Sequence, residues 1–344
     1  MRCAELSDTV LEMTQAPISP VLREHMEHFW AAVRNGTPHP VEGIFGPHSV
    51  CWKIDRESAL FLGAGRAALL QLAHPWVAAA LAQHSSLRSD PLARFHNTFR
   101  VVFTMVFGSL DQALAASRHL YELHTGIQGE VTADIGRYQQ GSRYAANEVN
   151  ALLWVYATLI ESALIAHDCV LPPLSNDDRE TYYAESARIA ALFGIPAAAL
   201  PQNWTAFEAY THAMLSSDVL GVNSLSRDLA HGVLHGRGSW LPVPDWYRAL
   251  TAAWLPARLR EEFSLDYGTR EQNAAASASK WLPRIYRRLP PALRFVGPYQ
   301  EAQARIAGHR TNPLIRLSNH FWMGQPLMMF GKREQSSGSG EQTV

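Results

Sequence analysis

The sequence has little net charge and few cysteines. Charged residues make up 18% of the 344 positions, and the formal net charge is −1. Without a basic field, nucleic acid is not expected as a partner. The three cysteines form no C-x-x-C pair and no disulfide framework, which favours a reducing compartment. The hydrophobic content of 47% is enough for a large core and favours a small or apolar partner.

Signals for covalent haem attachment, export and membrane spans are also missing. Without a C-x-x-C-H motif, any haem would be held without thioether bonds. The N-terminus lacks the basic start and apolar run of a secretory signal, so the cytoplasm is the expected location. The apolar stretch 61–82 is long enough to cross a bilayer, but it contains polar and helix-breaking residues that are costly there. These are Arg66, Gln71, His74 and Pro75. We therefore expect a buried helix around a polar site, and no transmembrane segment.

A glycine pattern lies inside this stretch. Residues 63–68, GAGRAA, match a dinucleotide-binding fingerprint with alanine in the last place. The context does not support nicotinamide binding, because no βαβ pattern surrounds the motif and no acidic residue follows about 20 positions later. Gly63 and Gly65 are instead predicted to let the backbone come close to a helix or a flat cofactor.

Helix start and stop signals recur along the chain, and alternating β-branched runs with hairpin turns are absent. Asp90 is predicted to cap a helix over 91–107. Ser109 and Gln112 predict a capping box for the next helix, which ends at Gly126. The fold class is therefore predicted to be all-α. Further helices are predicted at 147–170, 175–194, 205–216, 245–263, 270–288 and 299–309.

Polar side chains stand out in the apolar helix over 91–107. Arg94 and Thr98 are four residues apart and share a face, with Asn97 beside them. A buried arginine needs a partner, so this pattern predicts either a structural ion pair or a bound anionic cofactor group. His124 follows near the end of the next helix, where a lone histidine is usually a cap or a surface residue.

Five segments, in this order, resemble the MpaB-type oxygenases, a family that includes the latex-clearing rubber oxygenases. The resemblance implies an all-α fold with a globin-like core that holds non-covalent haem b. It also implies dioxygen-dependent cleavage of carbon–carbon double bonds in isoprenoids. The segments are GPHSVCWKI (46–54), LFLGAGRAALLQLAHPWVAAALAQHS (60–85), DPLARFHNTFRVVFTMVFGS (90–109), LHTGIQG (123–129) and LLWVYATLIESAL (152–164).

The resemblance also implies roles for individual residues. His124 falls on the proximal iron ligand, and Arg94 and Thr98 fall on an arginine and a threonine near the haem. The distal lysine of some relatives is Asn97 here, and the glutamate that they use as a base has no counterpart. His74 is the substitute candidate for a polar distal group, and a core histidine bonded to the backbone is the alternative.

These expectations describe a cytoplasmic haem-b oxygenase that acts on a small hydrophobic, isoprenoid-like substrate with dioxygen. Arg66 and Arg94 are the predicted partners of the haem propionates. One alternative is a helical protein that binds haem or a hydrophobic ligand without turnover. Another is a zinc hydrolase built on His231 and His235, which have the spacing of a zinc pair but lack the neighbouring glutamate.

The chain is expected to have three parts. Residues 1–39 form an N-terminal helical extension, 40–310 an MpaB-like catalytic domain, and 311–344 a C-terminal segment. The last ten or so residues are polar and low in complexity, which predicts a disordered tail.

Overall fold

The computed structural model describes residues 20–85, 87, 90–236 and 243–329. Within these ranges the protein is built almost entirely of α-helices, so the predicted all-α class is confirmed. The predicted disordered tail and residues 1–19 of the N-terminal extension lie outside the described residues. The strands within the described ranges form one antiparallel pair, β1 (Gln128–Glu130) and β2 (Arg143–Ala145), in which Gly129 is opposite Tyr144. Strands of three residues are too short to show an alternating pattern, so the sequence did not predict this antiparallel pair.

The described residues up to position 125 form six α-helices and one 3-10 helix. They are α1 (Arg23–Asn35), α2 (Val50–Asp55), a 3-10 helix (Ser58–Gly63), α3 (Ala64–Leu72), α4 (Pro75–His84), α5 (Pro91–Phe107) and α6 (Leu110–Thr125).

The second part begins with the longest helix and continues through shorter ones. They are α7 (Val149–Val170), α8 (Asn176–Phe193), a 3-10 helix (Ala197–Ala199), α9 (Trp204–Ser216), α10 (Ser224–Leu234), α11 (Asp245–Ala253), α12 (Ala257–Glu262), α13 (Thr269–Tyr286), α14 (Pro291–Arg294), α15 (Gly297–Ile306) and α16 (Pro313–Met323).

The caps of α5 and α6 form as predicted. The Asp90 carboxylate accepts a hydrogen bond from the Ala93 N–H at 2.9 Å, and α5 ends before Gly108. The Ser109 hydroxyl accepts from the Gln112 N–H at 3.3 Å, while the Gln112 side chain accepts from the Ser109 N–H at 2.8 Å. These bonds satisfy N–H groups that have no partner within the helix, and they fix where each helix begins.

Several predicted helix limits differ from the structure, two of them for a clear physical reason. The long helix α7 is capped by Glu148, whose carboxylate accepts from the Ala151 N–H at 2.8 Å. Asn147, the predicted start, donates instead to the Val21 carbonyl at 3.0 Å. The predicted helix over 245–263 is two helices, α11 and α12, which are separated by a segment that contains Pro256. Proline lacks the N–H that a continuous helix would need at this point.

The apolar stretch 61–82 does not form one long helix. It divides at His74 into α3 and α4, with Pro75 at the first position of α4. The Ala73 carbonyl at this break accepts from the Gly221 N–H at 2.9 Å. Among the described residues, α7 is the one helix long and apolar enough to cross a bilayer, and 61% of its apolar window is buried inside the protein.

The core forms around α7, which packs on α3 and on the 3-10 helix Ser58–Gly63. A Cβ added at Gly63 would overlap the Ser162 carbonyl oxygen, so this glycine lets the 3-10 helix come close to α7. The predicted close approach to a helix is therefore confirmed. Helix α16 packs on α5, and the Trp322 ring stacks on the Phe61 ring with centroids 3.6 Å apart.

Candidate functional site

A cavity of about 800 Å³ lies between α3, α5, α10, α11 and α16. Cofactor and ligand pockets measure about 300–1,000 Å³, so this one is large enough for a flat macrocycle or a long apolar ligand. Most of its wall is aliphatic or aromatic. The apolar lining includes Ala67, Leu72, Leu81, Leu92, Phe95, Phe99, Leu159 and Trp322. No aspartate or glutamate lines it within the described ranges.

Arg94 and Thr98 both line this cavity, as their spacing on α5 predicts. The Thr98 hydroxyl donates to the Arg94 carbonyl at 3.0 Å, which leaves its oxygen lone pairs available to a ligand. The Arg94 guanidinium has no ion pair and no side-chain hydrogen bond among the described residues. Its burial lowers its pKa below the ordinary value. A desolvated, unpaired arginine in a cavity wall is a receptor for an anionic group.

His124 lies in the last turn of α6, beside the start of α5. Burial, together with the positive charge of Arg94, lowers the pKa of its imidazole to about 4. The residue is only partly exposed. His124 is not itself among the residues that line the 800 Å³ cavity, although its neighbour Arg94 is.

These residues fit a haem group chemically. A neutral imidazole is the axial ligand that haem iron takes, and an unpaired arginine is a partner for a propionate. No cluster of three or more histidine, cysteine, aspartate or glutamate side chains that could hold a metal ion occurs in the described part of the chain. His124 would therefore hold the iron of a haem group, and Arg94 would hold a propionate.

Arg66 does not face this cavity with a free guanidinium. Its three nitrogens donate to the Glu161 carboxylate at 2.7 Å, the Ser162 hydroxyl at 3.0 Å and the Trp254 carbonyl at 3.0 Å. Its side chain is only 3% exposed. Because every nitrogen already has a partner, the geometry favours a structural ion pair over the predicted propionate contact. Spacing along the chain could not have indicated a partner 95 residues away.

His74 is buried between two aromatic rings and away from the cavity wall. Its centroid lies 6.0 Å from that of Trp76 and 5.7 Å from that of Tyr138. Burial lowers the pKa of its imidazole to about 4. Its Nδ1 atom has no hydrogen-bond partner among the described residues. The structure thus gives His74 a core position, and its distal role stays a prediction.

Asn97 points away from the cavity. It is exposed, and its Oδ1 accepts from Arg100 Nη2 at 2.7 Å. This position is at the surface of α5, so the geometry gives no support to the predicted contact with a cofactor. His231 and His235 stack with ring centroids 3.9 Å apart, and no third ligand for a zinc ion joins them among the residues that the structure describes.

The sequence analysis missed polar groups that later helices bring to the cavity. The Tyr247 hydroxyl accepts from the Gly65 N–H at 2.9 Å and donates to the Phe61 carbonyl at 2.9 Å. His96 and His320 also line the wall, and His96 Nε2 lies 3.0 Å from the Phe321 carbonyl. The sequence did draw attention to Gln71, because it is polar within an apolar stretch, and Gln71 also lines the cavity.

One family model matches residues 52–294, well over half of the chain. Its description is "ER-bound oxygenase mpaB/B'/Rubber oxygenase, catalytic domain". No curated protein and no solved structure matches the chain. The matched range contains Arg94, Thr98 and His124, and it confirms the family that the five sequence segments indicated. The chain therefore belongs to the mpaB and rubber oxygenase family and carries the catalytic domain of an oxygenase.

Proposed function

We propose that the protein is a haem-b-dependent oxygenase that uses dioxygen to cleave a carbon–carbon double bond in a hydrophobic, isoprenoid-like substrate. The observation that carries the proposal is the pairing of Arg94 with His124. One is a desolvated cation in a cavity wall, without a counter-ion in the part of the chain that the structure describes, and the other is a desolvated imidazole beside it. An axial ligand and a propionate partner need these two properties.

His124 is held in the protonation state that iron binding requires. A histidine coordinates a metal through the lone pair of a neutral ring. With a pKa of about 4, His124 is neutral at pH 7 and keeps that lone pair free. The neighbouring charge of Arg94 opposes protonation of the ring, so the two residues act together.

Arg94 is suited to hold the anionic edge of the cofactor. Burying an unpaired guanidinium costs free energy, and an incoming carboxylate offsets that cost by a charge-assisted hydrogen bond. Thr98 lies one turn further along the same face, where its hydroxyl oxygen can accept or donate a second hydrogen bond.

The apolar side chains of the cavity wall are suited to bind the substrate. Haem b, when bound, supplies the iron chemistry that activates dioxygen toward an alkene. Phe95, Phe99 and Trp322 exclude water from that space and offer aromatic surface to an unsaturated chain. The localisation of such an enzyme in the cytoplasm remains part of the proposal.

The test is the ultraviolet-visible spectrum and iron content of protein expressed with a haem precursor. We expect a Soret band with near-stoichiometric iron, which is lost in His124→Ala. The matched control is His119→Ala, which removes an exposed histidine from the same helix and should leave the spectrum unchanged. Equal spectra of folded wild-type and His124→Ala protein would remove His124 as the ligand. A colourless wild-type protein that takes up no haem would reject the proposal.

A non-catalytic haem or hydrophobic-ligand carrier is the second candidate. The absence of aspartate and glutamate from the described cavity wall favours it, since no carboxylate is there to act as a base. Oxygen uptake with a panel of isoprenoid alkenes separates the two candidates. An oxygenase consumes oxygen in step with loss of the alkene, and a carrier shows no uptake above the rate without substrate.

A further inference from the structure

Helix α16 presents an apolar stripe to solvent. Leu314, Leu317 and Phe321 are three and four residues apart, so they share one face of the helix. Their exposed fractions are 76%, 67% and 49%. The opposite face is buried against the protein through Ile315 and Met323. The helix is therefore apolar on two sides, of which only one is packed.

The exposed large apolar side chains are concentrated in and next to this stripe. Nine large hydrophobic side chains are exposed in the described part of the chain, and four of them fall within 314–329. The fourth is Met329, which is 58% exposed. Single exposed leucines are normal on a soluble protein, but a contiguous apolar patch indicates a contact surface.

The exposed charged side chains of α16 and of the segment before it are basic. The sequence from 302 to 333 contains no aspartate and no glutamate. Arg310 and Arg316 are exposed, whereas Glu301, the carboxylate on α15 that interacts with Arg316, is buried. Exposed arginines beside an apolar stripe are complementary to an anionic lipid surface, where acyl chains receive the apolar side chains and head groups receive the arginines.

The same residues form part of the cavity wall. Leu317, Phe321 and Trp322 line the 800 Å³ cavity, and Trp322 stacks on Phe61 at its inner side. Side chains that are at once exposed and in the cavity wall stand at its mouth. The stripe on the outside of α16 therefore continues into the apolar interior.

We propose that α16 binds an anionic lipid bilayer in the plane of the interface, and that apolar ligands enter the cavity from the bilayer past Leu317 and Phe321. The contact is peripheral: the stripe is three side chains long and reaches only the head-group and upper acyl region. The entry route rests on the proposed function, whereas bilayer binding does not.

The first experiment is co-sedimentation of the full-length protein with vesicles. Vesicles of phosphatidylcholine mixed with phosphatidylserine should bind the protein, and vesicles of phosphatidylcholine alone should bind it much more weakly. Binding should fall as salt is raised, because screening weakens attraction between exposed charges.

Two double variants separate the apolar from the ionic contribution. Leu317→Gln/Phe321→Gln should lower the partition coefficient about tenfold or more, because the buried apolar area supplies much of the affinity. Arg310→Gln/Arg316→Gln should lower it about 25-fold on the mixed vesicles, at about fivefold for each arginine, and have little effect on phosphatidylcholine alone. The matched controls are Leu22→Gln/Val41→Gln, which removes exposed apolar side chains elsewhere, and Lys280→Gln/Arg284→Gln, which removes exposed charges elsewhere.

Several results would overturn the proposal. They are no binding to mixed vesicles, equal loss in the control variants, or an oligomer that dissociates in Leu317→Gln/Phe321→Gln without vesicle binding. The last result would assign the stripe to a second copy of the chain. Circular dichroism of each variant establishes that it is folded.

The entry route is tested with holoprotein and an alkene substrate. Leu314→Gln/Arg310→Gln, which changes the lipid-facing surface and leaves the cavity wall intact, should slow oxygen uptake with substrate embedded in mixed vesicles and leave uptake with detergent-dispersed substrate near the wild-type rate. Equal slowing with both substrates would reject the route. A normal Soret band without vesicle binding removes only this inference, and vesicle binding by a haem-free protein removes only the proposed function.

Discussion

The guanidinium of Arg94, in the first turn of α5, lies near enough to His124, in the last turn of α6, for its charge to lower the pKa of the imidazole. The two helices are antiparallel neighbours joined by a tight, capped connection at Ser109. Because both caps are fixed by hydrogen bonds, the register that brings these residues together is also fixed.

Arg94→Leu should raise the pH at which bound haem is lost on acidification. Burial and the charge of Arg94 together hold the pKa of His124 at about 4, so removal of the charge lets the ring protonate at a higher pH. Protonated imidazole cannot ligate iron. Soret absorbance followed against pH gives the midpoint. Arg94→Lys keeps the charge and should keep the midpoint near that of the wild type, and an unshifted midpoint in Arg94→Leu would contradict the coupling.

His74 should make the fold sensitive to mild acid. Its native pKa is about 4 against an ordinary 6.5, so between these values the unfolded state binds the proton and the native state does not. The free energy of unfolding therefore falls as the pH drops below about 6.5 and levels off near 4, by up to about 3 kcal/mol. Urea unfolding of wild type and His74→Leu at pH 7 and pH 4.5 measures the difference. A pH dependence that is the same in both proteins would assign the effect to other groups.

Arg66→Met should destabilise the fold rather than release the cofactor. It leaves the Glu161 carboxylate, which is only 22% exposed, without its partner. Breaking a buried pair in this way costs about 3–5 kcal/mol. Arg248→Met is the control, because its pair with Asp245 is more exposed and should be worth less than about 1 kcal/mol. A stable Arg66→Met protein that fails to retain haem would restore Arg66 as a propionate partner.

Gly63→Ala should lower the free energy of unfolding by about 1–3 kcal/mol, because a methyl group there overlaps the Ser162 carbonyl and the two elements must move apart. Gly268→Ala adds a methyl group that meets its nearest neighbour at an ordinary 3.5 Å. That control should change stability by less than about 1 kcal/mol. Thermal or urea unfolding of the two variants tests the difference, and equal stability would mean that α7 accommodates the methyl group.

Local signals predicted α5 and α6 well, because caps and stop signals act within a few residues. Asp90, Ser109 and Gly126 each set a limit that the structure confirms. The same locality predicted that Arg94 and Thr98 share a face. Local signals did not predict the break near Pro256, because the residues on both sides of this proline have a strong helical pattern.

Partners that are distant in sequence could not be predicted from spacing. Glu161 forms an ion pair with Arg66, so the guanidinium is not free to bind a ligand. The Tyr247 hydroxyl accepts a hydrogen bond from the Gly65 N–H. The family resemblance implied that His124 is the iron ligand. Neither the resemblance nor the sequence pattern indicated that α16 forms part of the cavity wall. The globin-like core and the domain limits at residues 40 and 310 remain predictions.

The stack of Trp322 on Phe61 also determines when the cavity wall can form during synthesis of the chain. The two rings are 261 positions apart, so the wall that they form is absent until nearly all of the protein has been synthesised. Contacts over such separations form late in folding, because a long loop must close first. A nascent chain that still lacks α16 therefore has an open groove in place of the cavity, and the cavity wall is complete only once α16 has docked.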